Sequence, residues 1–128
     1  MNDLNAQTFM AALQKVEETH DVQSLVELFS DDCSLTNLAM SEPLEGRSGA
    51  QQFWEQYLHV FEEIRSRFFH TSETDQDIVL EWTSQGKLNS GEPVQYKGVS
   101  VIEKEGGKVA KFRTYYDSAA FTPLGKKG

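Results

Sequence analysis

The sequence predicts an α+β fold, a curved antiparallel sheet packed on three N-terminal helices and enclosing a pocket. Three observations predict it. Apolar residues recur at helical steps through the first half of the chain, as far as Ile64. Beyond Ile64 the texture changes to β-rich runs separated by turn signals. The last helical stretch carries a wide apolar stripe that must lie on something, and a sheet is its natural partner. A sheet curved over a long helix leaves space between the two, so the architecture itself supplies a pocket.

Each element has its own signal. Over residues 5–19, Ala6, Phe9, Leu13 and Val16 recur at three- and four-residue steps and mark the first helix. Asp21 suits the N-cap of a second, where Val22, Leu25, Val26 and Phe29 continue the helical pattern. CSLTNLA is short and β-compatible, and a loop with Pro43 and Gly46 follows it. Ser48 and Gln51 stand at capping-box spacing before the third helix, whose stripe is Phe53, Trp54, Tyr57, Leu58, Phe61 and Ile64. RSRFFHTSE, DIVLEWTSQG, PVQYKGVSVIE and KVAKFRTYY then read as consecutive strands. Their links are short, with EGG at 105–107 a tight turn, so they form an antiparallel meander. No repeat or linker divides the 128 residues, and 1–128 is expected to be one domain.

Charge narrows the partners. Residues 1–96 hold five basic and seventeen acidic residues, and residues 97–128 hold seven basic and three acidic, a balance of −12 against +4. A chain with net charge −8 is repelled by phosphate backbones, so no nucleic-acid partner is expected. No apolar run approaches the length that spans a bilayer, and the first residues lack the basic start and apolar run of a signal peptide. The one cysteine, Cys33, cannot form an intramolecular disulfide, which suits a cytoplasmic protein. His20, His59 and His70 are not at metal-ligand spacing, and no phosphate-loop, dinucleotide or nucleophile-elbow motif occurs. No metal and no cofactor are expected.

Three stretches carry a family resemblance. HDVQSLVELFSDDCSL is similar to the second helix and first strand of the SnoaL-like, nuclear-transport-factor-2-like superfamily. PLEGRSGAQQFW resembles its loop into the third helix, and GVSVIEKEGGKVAKFRTYYD its final hairpin. The resemblance runs from about Phe9 to Phe121 and implies the cone fold. It leaves chemistry open, because the superfamily holds isomerases, epoxide hydrolases, cyclases, dehydratases and non-catalytic binding proteins. FRTYYD and Asn37 resemble the limonene-epoxide-hydrolase-like branch most. Carried over residue by residue, that branch's last-strand acid falls on Thr114 and its water-holding tyrosine on Leu35. Its Arg-x-Asp pair falls on Val79 and Glu81. For the ketosteroid-isomerase-like branch, the general base falls on Asn37, the phenolic donor on Leu13 and the second acid near Gly98. None of those three roles is filled.

Two candidate catalytic residues remain, Glu81 and Asn37. Glu81 lies in IVLEWTS; facing the cavity it would be a desolvated general base, and facing outward, a surface glutamate opposite the more apolar Ile78–Leu80–Trp82 face. Asn37 is able to orient a water or grip a carbonyl, or to form a turn before LAMSEP. Asp117 is expected outward with Arg113 and Tyr115 if Phe112, Thr114 and Tyr116 face inward. Arg113 and Asp117 would then stand about 13 Å apart along the strand, too far to pair. Trp54, Tyr57, Phe61, Phe112, Thr114 and Tyr116 are the expected ligand-binding residues, and the aromatic ones also suit a core. The expected function is the binding of a small apolar or aromatic molecule by a homodimer joined through the outer sheet face. The alternative is a general acid–base enzyme of the epoxide hydrolase, isomerase or cyclase type using Glu81 and Asn37.

Overall fold

Asn5 starts the first helix: its side-chain oxygen accepts from the Thr8 amide at 2.8 Å, which satisfies one of the donors a helix N-terminus leaves open. The structure is a computed structural model and describes residues 4–117. α1 (Ala6–Thr19) buries Phe9, Leu13 and Val16 as the periodicity predicts, and it also buries Glu17. It ends where His20 takes a left-handed conformation, φ 67°, and its amide donates to the Val16 carbonyl at 2.7 Å. Asp21 accepts from the Gln23 amide at 3.0 Å, but the N-cap is Val22, one residue later than anticipated, and it makes no side-chain capping bond. The helix it opens, α2 (Gln23–Val26), is only one turn long. Phe29 already belongs to β1 (Phe29–Asn37), because the Val109 amide takes the Leu28 carbonyl at 2.8 Å and draws the chain into the sheet.

β2 (Leu44–Glu45) pairs with β1 and fixes the chain up to Glu45. α3 (Gly46–His59) starts at once, so Ser48 lies inside the helix and the capping box at Ser48 does not form. α3 also ends earlier than the sequence pattern suggests. Asn89 hydrogen-bonds the His59 carbonyl through its side chain and the Val60 carbonyl through its amide, and Phe61 pairs with Leu88. Phe61 and Ile64 therefore belong to β3 (Phe61–Glu73), not to the helical stripe. β4 (Asp77–Leu88), β5 (Pro93–Glu105) and β6 (Lys108–Tyr116) complete the meander. The β5–β6 turn uses Gly106 and Gly107 at φ 60° and 78°, a backbone region that other residues adopt at a cost.

Among the described residues the sheet has six strands in the order β2-β1-β6-β5-β4-β3. One pairing departs from the antiparallel expectation: β1 and β6 run parallel, with Leu35 beside Phe112 and Asn37 beside Thr114. The whole meander separates these two strands, so no tight turn imposes an antiparallel sense. The helices cover one face of the sheet. Phe9, Phe29, Trp54 and Phe112 meet there, with Phe9 stacked on Phe112 at 5.8 Å and Trp54 edge-on to Phe112 at 5.2 Å. Such ring pairs add to the area they remove from water.

Gly98 is a tight point of the inner sheet face. A Cβ there would sit 2.4 Å from the Trp82 ring and 2.6 Å from the Tyr115 carbonyl. We predict that Gly98→Ala lowers unfolding stability by about 1–3 kcal/mol, since backbone and indole cannot both yield. Urea unfolding followed by Trp fluorescence measures the loss.

Candidate functional site

Strand alternation sends Ile78, Leu80, Trp82 and Ser84 of β4 to one face, and all four are buried. Tyr96 and Ser100 of β5 and Phe112, Thr114 and Tyr116 of β6 project on that same side. α3 faces them with Phe53, Trp54 and Tyr57, and α1 with Leu13. Between the helices and the sheet lies a cavity of about 420 Å³, with Asn37 at the end of β1 and Ala39 and Met40 beyond it on the wall. A volume of this order suits a small organic molecule.

Trp54, Tyr57, Phe61, Phe112, Thr114 and Tyr116 all lie on the cavity wall. Asn37 lies there too, and its Oδ1 accepts from the Ala39 amide at 2.9 Å, closing a turn. The Asn37 carboxamide oxygen is thus committed to the backbone. Glu81 requires a correction as a candidate base. It is not on the cavity wall but on the opposite sheet face, in a rung with Val99 and Tyr115. Period-two alternation leaves it no other direction once Leu80 and Trp82 are buried. Asp117 is exposed at the end of β6, and Arg113 is bonded to Glu103 at 2.6 Å on the outer face. His70 is exposed as well: a register shift between Phe68 and His70 breaks the alternation that would have aimed it inward.

Apart from Tyr57 and Thr114, the polar chemistry of the cavity comes from residues that the sequence patterns did not single out. Glu17 is 5% exposed. Its Oε2 accepts from the Tyr57 hydroxyl at 2.8 Å and from Ser66 Oγ at 2.6 Å, and its Oε1 accepts from the Ser66 amide at 2.8 Å. Ser66 Oγ is in turn 2.6 Å from Ser84 Oγ. The Tyr96 phenol stands beside the Tyr57 and Ser84 hydroxyls. Glu17 itself does not line the cavity; Tyr57, Ser66, Ser84 and Tyr96 do. A second, smaller group lies on β4, β5 and β6, where Trp82 Nε1 donates to Ser100 Oγ at 2.9 Å and Ser100 Oγ meets Thr114 Oγ1 at 3.0 Å. Trp54 Nε1 is buried with no acceptor among the described residues.

Signals for these residues were present in the sequence. Glu17 is one helical turn beyond Leu13 and next to Val16, on the buried edge of the α1 stripe. Ser84 is the next step after Trp82 on the apolar face of β4. Burial raises the pKa of Glu17 above its ordinary 4.5, and the bonds from Ser66 and Tyr57 oppose the rise. Burial raises the Tyr57 phenol well above its ordinary value and raises that of Tyr96 as well, so both remain protonated at neutral pH. Among the described residues, no group of three His, Cys, Asp or Glu is placed to hold a metal ion.

Comparison with known proteins places this geometry. The family model described as a SnoaL-like domain matches residues 6–112. The chain belongs to the SnoaL-like domain family. Solved structures similar to it include an NTF2-like protein from Anabaena variabilis ATCC 29413, at TM-score 0.80 and 16% identity over 90% of this chain and 88% of that one. A putative SnoaL-like polyketide cyclase from Jannaschia sp. CCS1 is similar at TM-score 0.76 and 13% identity, over 96% of this chain and 99% of that one. TerC co-crystallized with polyporic acid is similar at TM-score 0.75 and 15% identity, over 90% of each chain. At these identities the likeness is one of fold. A search of the curated proteins finds none that matches this SnoaL-like chain.

The Glu17 environment yields a prediction for pH. A folded-state pKa above the unfolded one means that the fold favours the neutral acid. That contribution is fully present below about pH 4.5 and is lost as pH rises through the folded value. Glu17→Gln removes it while every other carboxylate is retained. The stability of the native protein relative to Glu17→Gln should therefore fall as pH rises from about 4.5 through the raised folded-state value, read by urea unfolding at each pH.

Proposed function

We propose that this SnoaL-like domain binds one small, largely apolar or aromatic molecule, with the hydroxyl groups on the wall taking its polar atom. The observation that carries this reading is the cavity of about 420 Å³, walled by aromatic rings and crossed by serine, threonine and tyrosine hydroxyls. Trp54, Tyr57, Phe61, Phe112 and Tyr116 supply apolar area, and Thr114 supplies a hydroxyl. The unpartnered Trp54 Nε1 is a further donor suited to an acceptor on the ligand. Fold neighbours that include a putative polyketide cyclase and a protein crystallised with polyporic acid are consistent with a small organic ligand.

Acid–base catalysis of the hydrolase, isomerase or cyclase kind is the weaker reading. Among the described residues no Asp, Glu or His lines the cavity, Glu81 faces away from it, and Thr114 stands where the resemblance to the limonene-epoxide-hydrolase-like branch calls for an acid. Asn37 remains a candidate for gripping a ligand carbonyl through its amide group. No helix among the described residues is long and apolar enough to cross a membrane. The cytoplasm is the proposed compartment.

We place the proposed homodimer contact on the outer sheet face. There the rungs Val79–Val101–Arg113 and Glu81–Val99–Tyr115 run across β4, β5 and β6, and Tyr115 is 44% exposed.

Three measurements test these proposals. Native mass spectrometry of the purified protein, followed by identification of whatever denaturation releases, should show a retained small apolar molecule. An aromatic probe such as naphthalene should quench Trp fluorescence in the native protein. Thr114→Phe fills the cavity from β6 and should weaken that probe by about tenfold or more, equivalent to about 1.4 kcal/mol. Equal affinity in the two proteins would place the probe elsewhere. For the dimer, Val99→Glu introduces a charge on the outer rung and should convert a dimer to a monomer by size-exclusion chromatography with light scattering.

A further inference from the structure

We propose that Glu17, from behind the cavity wall, sets the hydrogen-bond polarity of the Tyr57–Ser84 part of that wall, so that the hydroxyls there offer lone pairs and select a ligand that carries a hydrogen-bond donor. The inference rests on the pocket reading above and concerns the specificity of that pocket. Glu17 is a positioning residue here, since Tyr57 and Ser66 stand between it and the cavity.

Proton accounting carries the inference. Each hydroxyl has one proton to give and two lone pairs to receive with. A carboxylate accepts only, and Glu17 accepts three bonds, two on Oε2 and one on Oε1. The single proton of Tyr57 therefore points at Glu17, and so does the single proton of Ser66. The close contact between Ser66 Oγ and Ser84 Oγ then has only one possible donor, Ser84, because the Ser66 proton is already committed. Three hydroxyl protons thus run inward towards one carboxylate. Tyr96 stands beside both and can give its one proton to only one of them, so what Tyr57 and Ser84 have left for the cavity is oxygen lone pairs. A phenol, alcohol or N–H group of a ligand would meet acceptors there, and a bare carbonyl would meet like partial charge.

Glu17→Gln turns this arrangement round with almost no change of shape. The Ser66 amide donates and fixes the Gln oxygen at the Oε1 position. The NH2 group then faces Tyr57 and Ser66 Oγ and donates to both. Each of those hydroxyls must now accept where it donated. Ser66 gives its proton to Ser84, and the protons of Ser84 and Tyr57 are released towards Tyr96 and the cavity. The wall becomes a donor.

The test uses three probes of one ring system at pH 8: naphthalene, 2-naphthol and 2-acetylnaphthalene. Naphthalene has no polar atom and reports on the pocket alone. The ratio of 2-naphthol to 2-acetylnaphthalene affinity reports on wall polarity. In the native protein the naphthol should bind more tightly by about threefold to tenfold, the net worth of one hydrogen bond. In Glu17→Gln the ratio should move towards the ketone by about tenfold or more, a change of sign for the same bond. Ser84→Ala retains the carboxylate and removes one end of the proton chain, so it should erase part of the naphthol preference without reversing it. This second variant also decides the matter if Glu17→Gln does not fold. An unchanged ratio, or a shift towards the naphthol in Glu17→Gln, overturns the inference and leaves the pocket reading intact. Failure of naphthalene to bind the native protein overturns the pocket reading and the inference together.

Discussion

The aromatic cluster around Phe112 is the contact on which the rest of the structure depends. Phe9 comes from α1, Phe29 from β1, Trp54 from α3 and Phe112 from β6, so four elements remote in sequence meet in one set of rings. Phe9 and Phe29 are fully buried, whereas Trp54 and Phe112 have one side on the cavity. Ring-on-ring packing fills the volume at this point and holds the helices at a fixed distance from the sheet. Further along, the inner face carries small residues, Ser66, Ser84, Ser100 and Thr114, which cannot fill that distance. Large side chains at one end and small ones beyond explain why a cavity exists at all.

Small hydroxyl side chains solve a second problem in the same place. A buried carboxylate without partners costs far more than the fold could offset, and Glu17 is surrounded by hydroxyl and amide donors instead. The serines that leave the cavity open are therefore also those that make its acid tolerable. Packing and polarity share the same residues, and this ties the volume of the cavity to its hydrogen-bonding character.

Much of this was legible in the chain, because burial on one side of an element leaves a period. α1 was visible from Phe9, Leu13 and Val16; alternation put Phe112, Thr114 and Tyr116 on one face, and the family resemblance implied that it is the inner one. Alternation also held the clue to Glu81, whose neighbours Leu80 and Trp82 were the more apolar pair. What sequence could not reveal came from contacts distant along the chain. The early end of α3 depends on Asn89 taking the carbonyls of His59 and Val60, thirty residues away. Phe61 and Ile64 fit a helix by spacing and a strand by pairing, and pairing prevailed. Glu17 looked like one more acid in an acidic segment, since only the arrival of Tyr57 and Ser66 gives it a role. Fold membership was written in local phrases, and the site was written in three-dimensional coincidences between them.

The parallel pairing of β1 with β6 has a consequence for the order in which the chain acquires its shape. Phe29 and Val109 are register partners although eighty residues separate them, and closure of so long a loop is slow compared with formation of the neighbouring hairpins. Strands β3 to β5 are able to pair as they emerge from the ribosome, but β1 has only the two residues of β2 for company until β6 arrives. The segment that completes the central sheet is thus also the last of the described strands to be synthesised. Until then the apolar side of β1, with Phe29, Cys33 and Leu35, has no permanent cover from β6. A truncation just before Lys108 would remove one strand in length but would separate β1 and β2 from the rest of the sheet.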